Sequence, residues 1–267
     1  MAFLDCHCFS DALELSVSFH VLLPQKTRSQ IGMTGGDTRA TYPVLYLLHG
    51  LSDDHTTWMR RTSIERYAAA KNLAVIMPAV NRSFYQDMAG GPRYWTFLSE
   101  ELPALCRHWF PISTAREETF AAGLSMGGYG ALRLGLMQPE RFGAVASLSG
   151  ALDVGKRCAD ARREGSRRTG SELQSVFGQE LAAEGTSADL FHLAEQLGKS
   201  AAPLPAIFMS CGTEDSLLGD QQRFAVHLQQ VGIAHRAEER PGEHDWEFWD
   251  AEIQRVLDWL PLGVGKS

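Results

Sequence analysis

Five short apolar runs constrain this chain more than any other feature. They are Val44-Leu45-Tyr46-Leu47-Leu48, Leu73-Ala74-Val75-Ile76-Met77, Thr119-Phe120-Ala121-Ala122, Ala144-Val145-Ala146-Ser147-Leu148 and Ala206-Ile207-Phe208-Met209-Ser210. None alternates apolar with polar residues, so each suits a strand buried on both faces, as in a parallel sheet covered by helices. The intervening patterns predict helices over 57–70, 97–109 and 127–137. Strands alternating with helices imply a doubly wound, mostly parallel α/β sheet with helices on both faces. The segment Leu13 to Leu23 differs, because its apolar residues alternate with Glu14, Ser16, Ser18 and His20. Period two predicts a half-buried antiparallel strand near a sheet edge, ended by Pro24.

The remaining segments fill in around this plan. Residues 25–41 are polar and contain Gly32, Gly35 and Gly36, which predicts a mobile connection. Phe224, Leu228 and Val231 mark one face of a late helix, and Trp246, Trp249, Ile253, Val256, Leu257 and Leu260 form the apolar stripe of the last. Between 153 and 203 the pattern weakens among charges and Gly155, Gly165, Gly170, Gly178 and Gly185. This stretch is expected to be a small cap or lid over the sheet's upper edge, within one domain spanning 1–267. No internal repeat is visible.

Composition excludes several partners. With 25 basic and 32 acidic residues the formal net charge is −7, the wrong sign for a polyanion such as nucleic acid. The cluster Arg157, Arg162, Arg163, Arg167 and Arg168 is interleaved with acids and glycines and reads as a solvated loop. No window approaches the roughly 18 uninterrupted apolar residues of a membrane span. The apolar start at Met1 to Leu4 is broken by Asp5 with no basic region before it, unlike a secretory signal. Five scattered cysteines, an odd number, fit reduced thiols in the cytoplasm. Cys6-His7-Cys8 lacks a second ligand pair at zinc-site spacing and reads as a period-two strand, so no metal or organic cofactor is expected.

The chemistry centres on Gly123-Leu124-Ser125-Met126-Gly127, a Gly-x-Ser-x-Gly pattern. A buried strand runs into it and a helical pattern runs out, the strand–turn–helix of a nucleophile elbow. A phosphate loop would need Gly-Lys followed by Ser or Thr, which is absent here. A serine hydroxyl attacks well only when a base removes its proton. In the α/β-hydrolase fold the chain order is nucleophile, acid, histidine, which leaves His192, His227, His235 and His244. His192 lies in the expected cap, His227 on an apolar helix face and His235 in a predicted strand. His244 follows Pro241-Gly242-Glu243 and precedes the last helix, so its loop can reach the elbow. The acid should leave the strand ending at Ser210, where Glu214 and Asp215 are adjacent; spacing does not separate them, and Asp215 is favoured. The oxyanion of a tetrahedral intermediate needs two backbone donors. These are expected at Met126 and in the loop His49-Gly50-Leu51-Ser52, at Leu51 or alternatively Gly50.

Tyr46-Leu47-Leu48-His49-Gly50-Leu51, Gly123 to Leu132 with its Ser-Met-Gly-Gly-Tyr-Gly, Cys211-Gly212-Thr213-Glu214-Asp215 and Gly242-Glu243-His244-Asp245-Trp246 resemble the esterase D family, as does Glu100-Glu101-Leu102-Pro103. The resemblance runs from about Phe3 to Leu260. It is nearest to the tributyrin, or short-chain, esterase branch, through Ser-Met-Gly-Gly-Tyr-Gly and the His-x-Trp-x-x-Trp ending at Trp249. It implies an α/β-hydrolase with Ser125, Asp215 and His244 as the triad and Leu51 and Met126 at the oxyanion hole. It also implies a homodimer or homotetramer acting on a small-molecule ester. Where S-formylglutathione hydrolases carry Thr-Cys after His-Gly-Leu, this chain has Ser52-Asp53. Trp58, Tyr94 and Trp95 are candidates to line the substrate pocket, with plain packing as the alternative. The expected function is a serine carboxylesterase of short-chain acyl esters. The alternatives are S-formylglutathione (thioester) hydrolysis, feruloyl or acetyl-xylan ester hydrolysis, and a non-catalytic binding module on the same fold.

Overall fold

The computed structural model describes residues 1–32, 38–164 and 167–262. Gly35 and Gly36 of the expected mobile connection, and Gly165 of the expected cap, lie outside the described residues. The alternating segment becomes β2 (Leu15–Leu23), which pairs antiparallel with β1 (Ala2–Ser10) on one side. On its other side it pairs antiparallel with β4 (Ala74–Pro78). The apolar runs give β3 (Val44–Leu48), β4, β5 (Thr119–Leu124), β6 (Ala144–Leu148) and β7 (Ala206–Gly212). With β8 (Arg236–Arg240) they form a continuous parallel array. The eight-stranded order is β1-β2-β4-β3-β5-β6-β7-β8. In β1, Cys6 and Cys8 turn toward the core while Asp5 and His7 face outward, the period-two pattern expected for that segment.

Because neighbouring side chains of a strand point to opposite faces, the central strands feed two separate cores. Tyr46, Leu48, Ile76 and Ala121 pack on one face, with helices α4 (Leu102–Trp109), α5 (Met126–Met137), α8 (Leu190–Gly198) and α9 (Leu218–Gln230). Leu45, Leu47, Val75 and Ala122 pack on the other, under α1 (Thr57–Arg61), α2 (Ile64–Lys71) and α10 (Trp246–Trp259). Every residue of β3, β4 and β6 is buried, which explains why those runs carry no polar alternation. No helix among the described residues is long and apolar enough to cross a membrane.

Three segments differ from the sequence expectation. The helix expected over 57–70 is two helices, because Thr62 turns extended and its hydroxyl caps back on the Trp58 carbonyl at 2.7 Å. The helix expected over 97–109 starts earlier, with α3 (Tyr94–Thr96), and passes through a π-helical turn over Phe97–Glu101 before α4. Pro103 has no N–H to offer the Ser99 carbonyl; Arg141 and, at 3.4 Å, Gln138 donate to that carbonyl instead. The arginine cluster is helical and not a loop. Arg157, Arg162 and Arg163 lie on α6 (Val154–Glu164), and Arg167 and Arg168 open α7 (Arg167–Phe177). Val154, Cys158 and Ala161, at i, i+4 and i+7, bury one face of α6, a short stripe hidden in the sequence by the charges around it.

Candidate active site

Sequence and geometry meet at the end of β5. Ser125 has φ 52° and ψ −117°, and α5 starts at the next residue. A non-glycine residue in that region is strained and persists only where its surroundings hold it. The holding groups are visible: the Ser125 amide donates to the Leu148 carbonyl at 2.8 Å, and the Ser125 carbonyl accepts from Ala151 at 3.1 Å. So sharp a reversal leaves no room for a side chain two residues to either side of it. A Cβ on Gly123 would stand 2.4 Å from the Gly127 carbonyl, and one on Gly127 would stand 2.3 Å from the Leu48 carbonyl oxygen.

β7 and β8 run parallel to β5 and deliver the other two side chains to the same edge of the sheet. Asp215 follows β7, and His244 lies between β8 and α10. His244 Nδ1 is 2.8 Å from Asp215 Oδ2, and His244 Nε2 is 3.1 Å from Ser125 Oγ. With the proton on Nδ1 donated to the carboxylate, Nε2 presents its lone pair to the serine hydroxyl. Burial alone would raise the Asp215 pKa. Hydrogen bonds from His244, the Leu217 amide and the Ser149 hydroxyl outweigh it and hold the carboxyl below its ordinary value.

Glu214, the neighbouring carboxylate, has a different partner. Its Oε2 accepts from the Gly242 amide at 2.7 Å, and its own amide donates to the Gly242 carbonyl at 3.1 Å. It therefore clasps the loop that carries His244. Behind His244 stands an edge-to-face series of rings: His244 on Trp249 at 4.9 Å, Trp249 on Trp246 at 5.2 Å, and Trp246 on Trp58 at 5.2 Å. The Trp249 indole N–H donates to Ser149 Oγ at 3.2 Å, so Ser149 links the ring series to Asp215.

The loop after β3 lies across from the elbow, and a Cβ on Gly50 would sit 3.8 Å from Ser125 Cβ. Its anchor is His49, which is 1% exposed. His49 Nε2 accepts from the Val80 amide at 3.1 Å, so Nδ1 carries the proton and donates to the Gly50 carbonyl at 2.7 Å. The Gly50 amide bonds the Asp53 carboxylate and the Asp53 amide returns to the Gly50 carbonyl, both at 3.2 Å. Leu51 sits at the tip of this turn. Among the described residues, neither the Leu51 nor the Met126 amide donates to another protein group, as an oxyanion site requires.

A cleft of about 820 Å³ opens beside the loop, lined by Leu15, Leu51, Ser52, Asp53, Asn81, Arg82, Met88, Pro92, Tyr94, Glu172, Ser175 and Val176. Tyr94 is the one expected pocket aromatic that lines it, and its hydroxyl accepts from Asn81 Nδ2 at 2.6 Å. Trp58 is instead buried under the sheet with its indole N–H on the Leu48 carbonyl at 3.0 Å. Trp95 lies under the Arg133 guanidinium, 3.9 Å from its ring centre. Of the other histidines considered, His227 bonds the Phe191 carbonyl and His235 the Ile233 carbonyl, both away from Ser125.

Several contributors have no sequence motif. Ser149 follows β6, at the same strand edge as Ser125 and Asp215, and its position just past the apolar run was the available signal. Arg82 spans the cleft's rim: it pairs two-pronged with Glu172 on α7 and its Nη1 reaches the Leu51 carbonyl at 3.5 Å. Nothing in the sequence indicates that pairing across 90 residues.

Residues 10–260 match the esterase family described as "Putative esterase". An acetyl esterase of Caldicellulosiruptor saccharolyticus is 31% identical over 97% of this chain and 98% of its own length. The substrate-bound structure of FphF, a fluorophosphonate-binding serine hydrolase of Staphylococcus aureus, superposes with a TM-score of 0.85 at 32% identity, over 97% of this chain and 98% of that one. The S-formylglutathione hydrolase FrmB from Staphylococcus aureus superposes with a TM-score of 0.83 at 31% identity, over the same shares. With its mostly parallel eight-stranded sheet, its elbow serine and these relatives, the chain belongs to the esterase family of α/β-hydrolases, of the esterase D type.

Proposed function

We propose that this serine esterase hydrolyses short-chain acyl esters through an acyl-enzyme on Ser125, with His244 as general base and acid and Asp215 orienting it. The observation that carries the reading is the hydrogen-bonded line from Ser125 Oγ through His244 to Asp215, built at a strained strand–helix turn. Ser125 Oγ attacks the ester carbonyl carbon as its proton passes to His244 Nε2, and the carbonyl π electrons move onto oxygen. The Leu51 and Met126 amides would stabilise that oxyanion; losing one such donor typically costs about 10²–10³ in rate. Collapse expels the alcohol oxygen, which takes the proton from His244. Water then gives a proton to His244 and attacks the acyl carbon, and the acid leaves as Ser125 recovers its proton.

Tyr94 and the α7 residues at the cleft would shape the substrate site, which makes 153–203 a cap in function; Trp58 and Trp95 serve as packing. The test is covalent: a fluorophosphonate should label Ser125, and p-nitrophenyl acetate or butyrate should give a burst followed by steady turnover. Folded protein that leaves Ser125 unlabelled would remove this reading. Ser125→Ala should lose ester hydrolysis with the fold retained, against a non-catalytic binding module. The S-formylglutathione hydrolase relative supports a second reading, thioester hydrolysis. A panel of acetyl to octanoyl esters, feruloyl esters and S-formylglutathione separates it from the first. The five unpaired cysteines support a cytoplasmic setting, which cell fractionation tests. Phe3 and Phe9, exposed on the edge strand β1, support a homodimer or homotetramer, which sedimentation analysis tests.

A further inference from the structure

Away from the elbow, three side chains from three segments converge. The β1–β2 register sets Asp5 opposite His20. The loop that follows β3, past Leu51, brings His55 onto the same place, its ring edge-to-face with that of His20 at 4.6 Å. His20 Nε2 lies 3.4 Å and His55 Nε2 3.9 Å from a single oxygen, Asp5 Oδ1. All three ligand atoms fall within 4.8 Å of one another. His7, two residues along β1, places its Nε2 3.5 Å from the other Asp5 oxygen.

These separations are poor for hydrogen bonds, which prefer about 2.7–3.2 Å. The His20–Asp5 separation matches the edge of a coordination tetrahedron, and the 3.9 Å from His55 exceeds it by about 0.4 Å. Bonds of about 2.0–2.1 Å to nitrogen and oxygen at tetrahedral angles put neighbouring ligands about 3.3–3.5 Å apart. The His20 ring also packs edge-to-face on Phe3 at 4.7 Å, but no hydrogen bond fixes either imidazole through its far nitrogen: Nδ1 of His20 and Nδ1 of His55 are both buried without a hydrogen-bond partner. Among the described residues no Lys or Arg pairs with the Asp5 carboxylate, and one carboxylate with two imidazoles is a donor set suited to a divalent first-row metal.

We propose that Asp5, His20 and His55 form a zinc-type divalent metal site, with His7 beside its fourth position, fastening the β1–β2 hairpin to the loop that carries Leu51. The test uses the full-length protein, stripped with EDTA and titrated with zinc chloride by calorimetry. One zinc per chain is expected, with Kd below about 10 µM. His55→Ala and Asp5→Asn, both outside the hydrophobic core, should each weaken binding about tenfold or more while circular dichroism stays unchanged. A Ser125→Ala/His244→Gln variant and a Cys6→Ser/Cys8→Ser variant should bind zinc as the wild type does, which separates this site from the triad and the thiols. In parallel, cobalt should give the intense visible bands of a tetrahedral ion in wild type and lose them in His55→Ala. Absence of saturable zinc binding, or binding unmoved by both His55→Ala and Asp5→Asn, would overturn the proposal. So would zinc affinity that depends on His244 or on the cysteines.

Discussion

At the scale of single residues, the neighbourhood of each titratable group decides its behaviour. Burial pushes the His49 pKa from 6.5 down to about 4, because the imidazolium would lose its water, and this outweighs the bond from Nδ1–H to the Gly50 carbonyl, which favours the charged ring. The folded pKa lies below the unfolded one, so between them the unfolded chain binds more protons. The contribution is fully present above about pH 6.5 and is lost as pH falls toward 4, amounting to about 3 kcal/mol. Urea unfolding of the wild type should therefore weaken between pH 7 and 4.5, and His49→Gln should flatten that slope while lowering stability at pH 7. An equal slope in the two proteins would refute the assignment. The carboxyl of Asp215 is depressed as well, so its share is present above the ordinary carboxylate range and lost at lower pH than that of His49. The two adjacent carboxylates also separate kinetically. Asp215→Asn should lower kcat by about 10⁴, since the amide favours the wrong imidazole tautomer. Glu214→Gln keeps an oxygen for the Gly242 amide and should cost less than about tenfold. Steady-state kinetics on p-nitrophenyl butyrate compare them, and equal losses would mean that the acid is misassigned.

At the scale of elements, the cleft is assembled from pieces that are far apart in the chain. The segment between β4 and α3 is zipped to the end of α7, where Ala89 and Gly90 donate to the carbonyls of Val176 and Ser175 at 3.1 and 3.0 Å. The Arg82–Glu172 pair closes the same seam and touches the Leu51 carbonyl. Arg82 is 53% and Glu172 30% exposed, so solvent screens the pair and its stability contribution is below about 1 kcal/mol. Its effect should appear in substrate binding: Arg82→Ala should raise KM several-fold with melting temperature nearly unchanged, and added salt should shrink the difference. A fall in kcat with KM constant would mean that Arg82 acts through the Leu51 loop and not on the cleft. The same seam was the least legible part of the sequence. β3 to β7 were legible because a strand buried on both faces must be apolar throughout, and the elbow because its reversal requires glycine two residues to either side of Ser125. α6 and α7 were obscured because a helix that buries only a narrow stripe keeps charges on most positions. The π-turn before α4 depended on Pro103 meeting Arg141 and Gln138, a tertiary exchange with no local signature. The pairing of Glu214 with Gly242 required knowing that β7 and β8 are neighbours, and Trp58 as a packing residue required seeing its indole under Leu48.

For the whole molecule, strand order dictates when the site can exist. Ser125, Asp215 and His244 follow β5, β7 and β8, while the loop holding Leu51 follows β3, the strand on the far side of β5. Each parallel pairing joins distant segments: Val44 aligns with Thr119 and Ala144 with Ala206. Closing such loops before contacts reward them makes parallel sheets slow to form. A chain of 267 residues built this way is expected to refold from urea through intermediates, with losses to aggregation that grow with protein concentration. No half of the sheet contains both the hydrogen-bonded Ser125–His244 pair and the loop that carries Leu51. The strained backbone at Ser125 also needs Leu148 and Ala151 to hold it, so β6 must be in place as well. Fluorophosphonate labelling of Ser125 should therefore return no earlier than the full far-ultraviolet signal of the sheet during refolding. It should return later if the α6–α8 segment docks last. Quenching samples with the probe along the refolding course measures this directly. Labelling at full amplitude while the sheet signal is still incomplete would show that β5 to β8 assemble a working site without β3, contrary to the order that the strand connections impose.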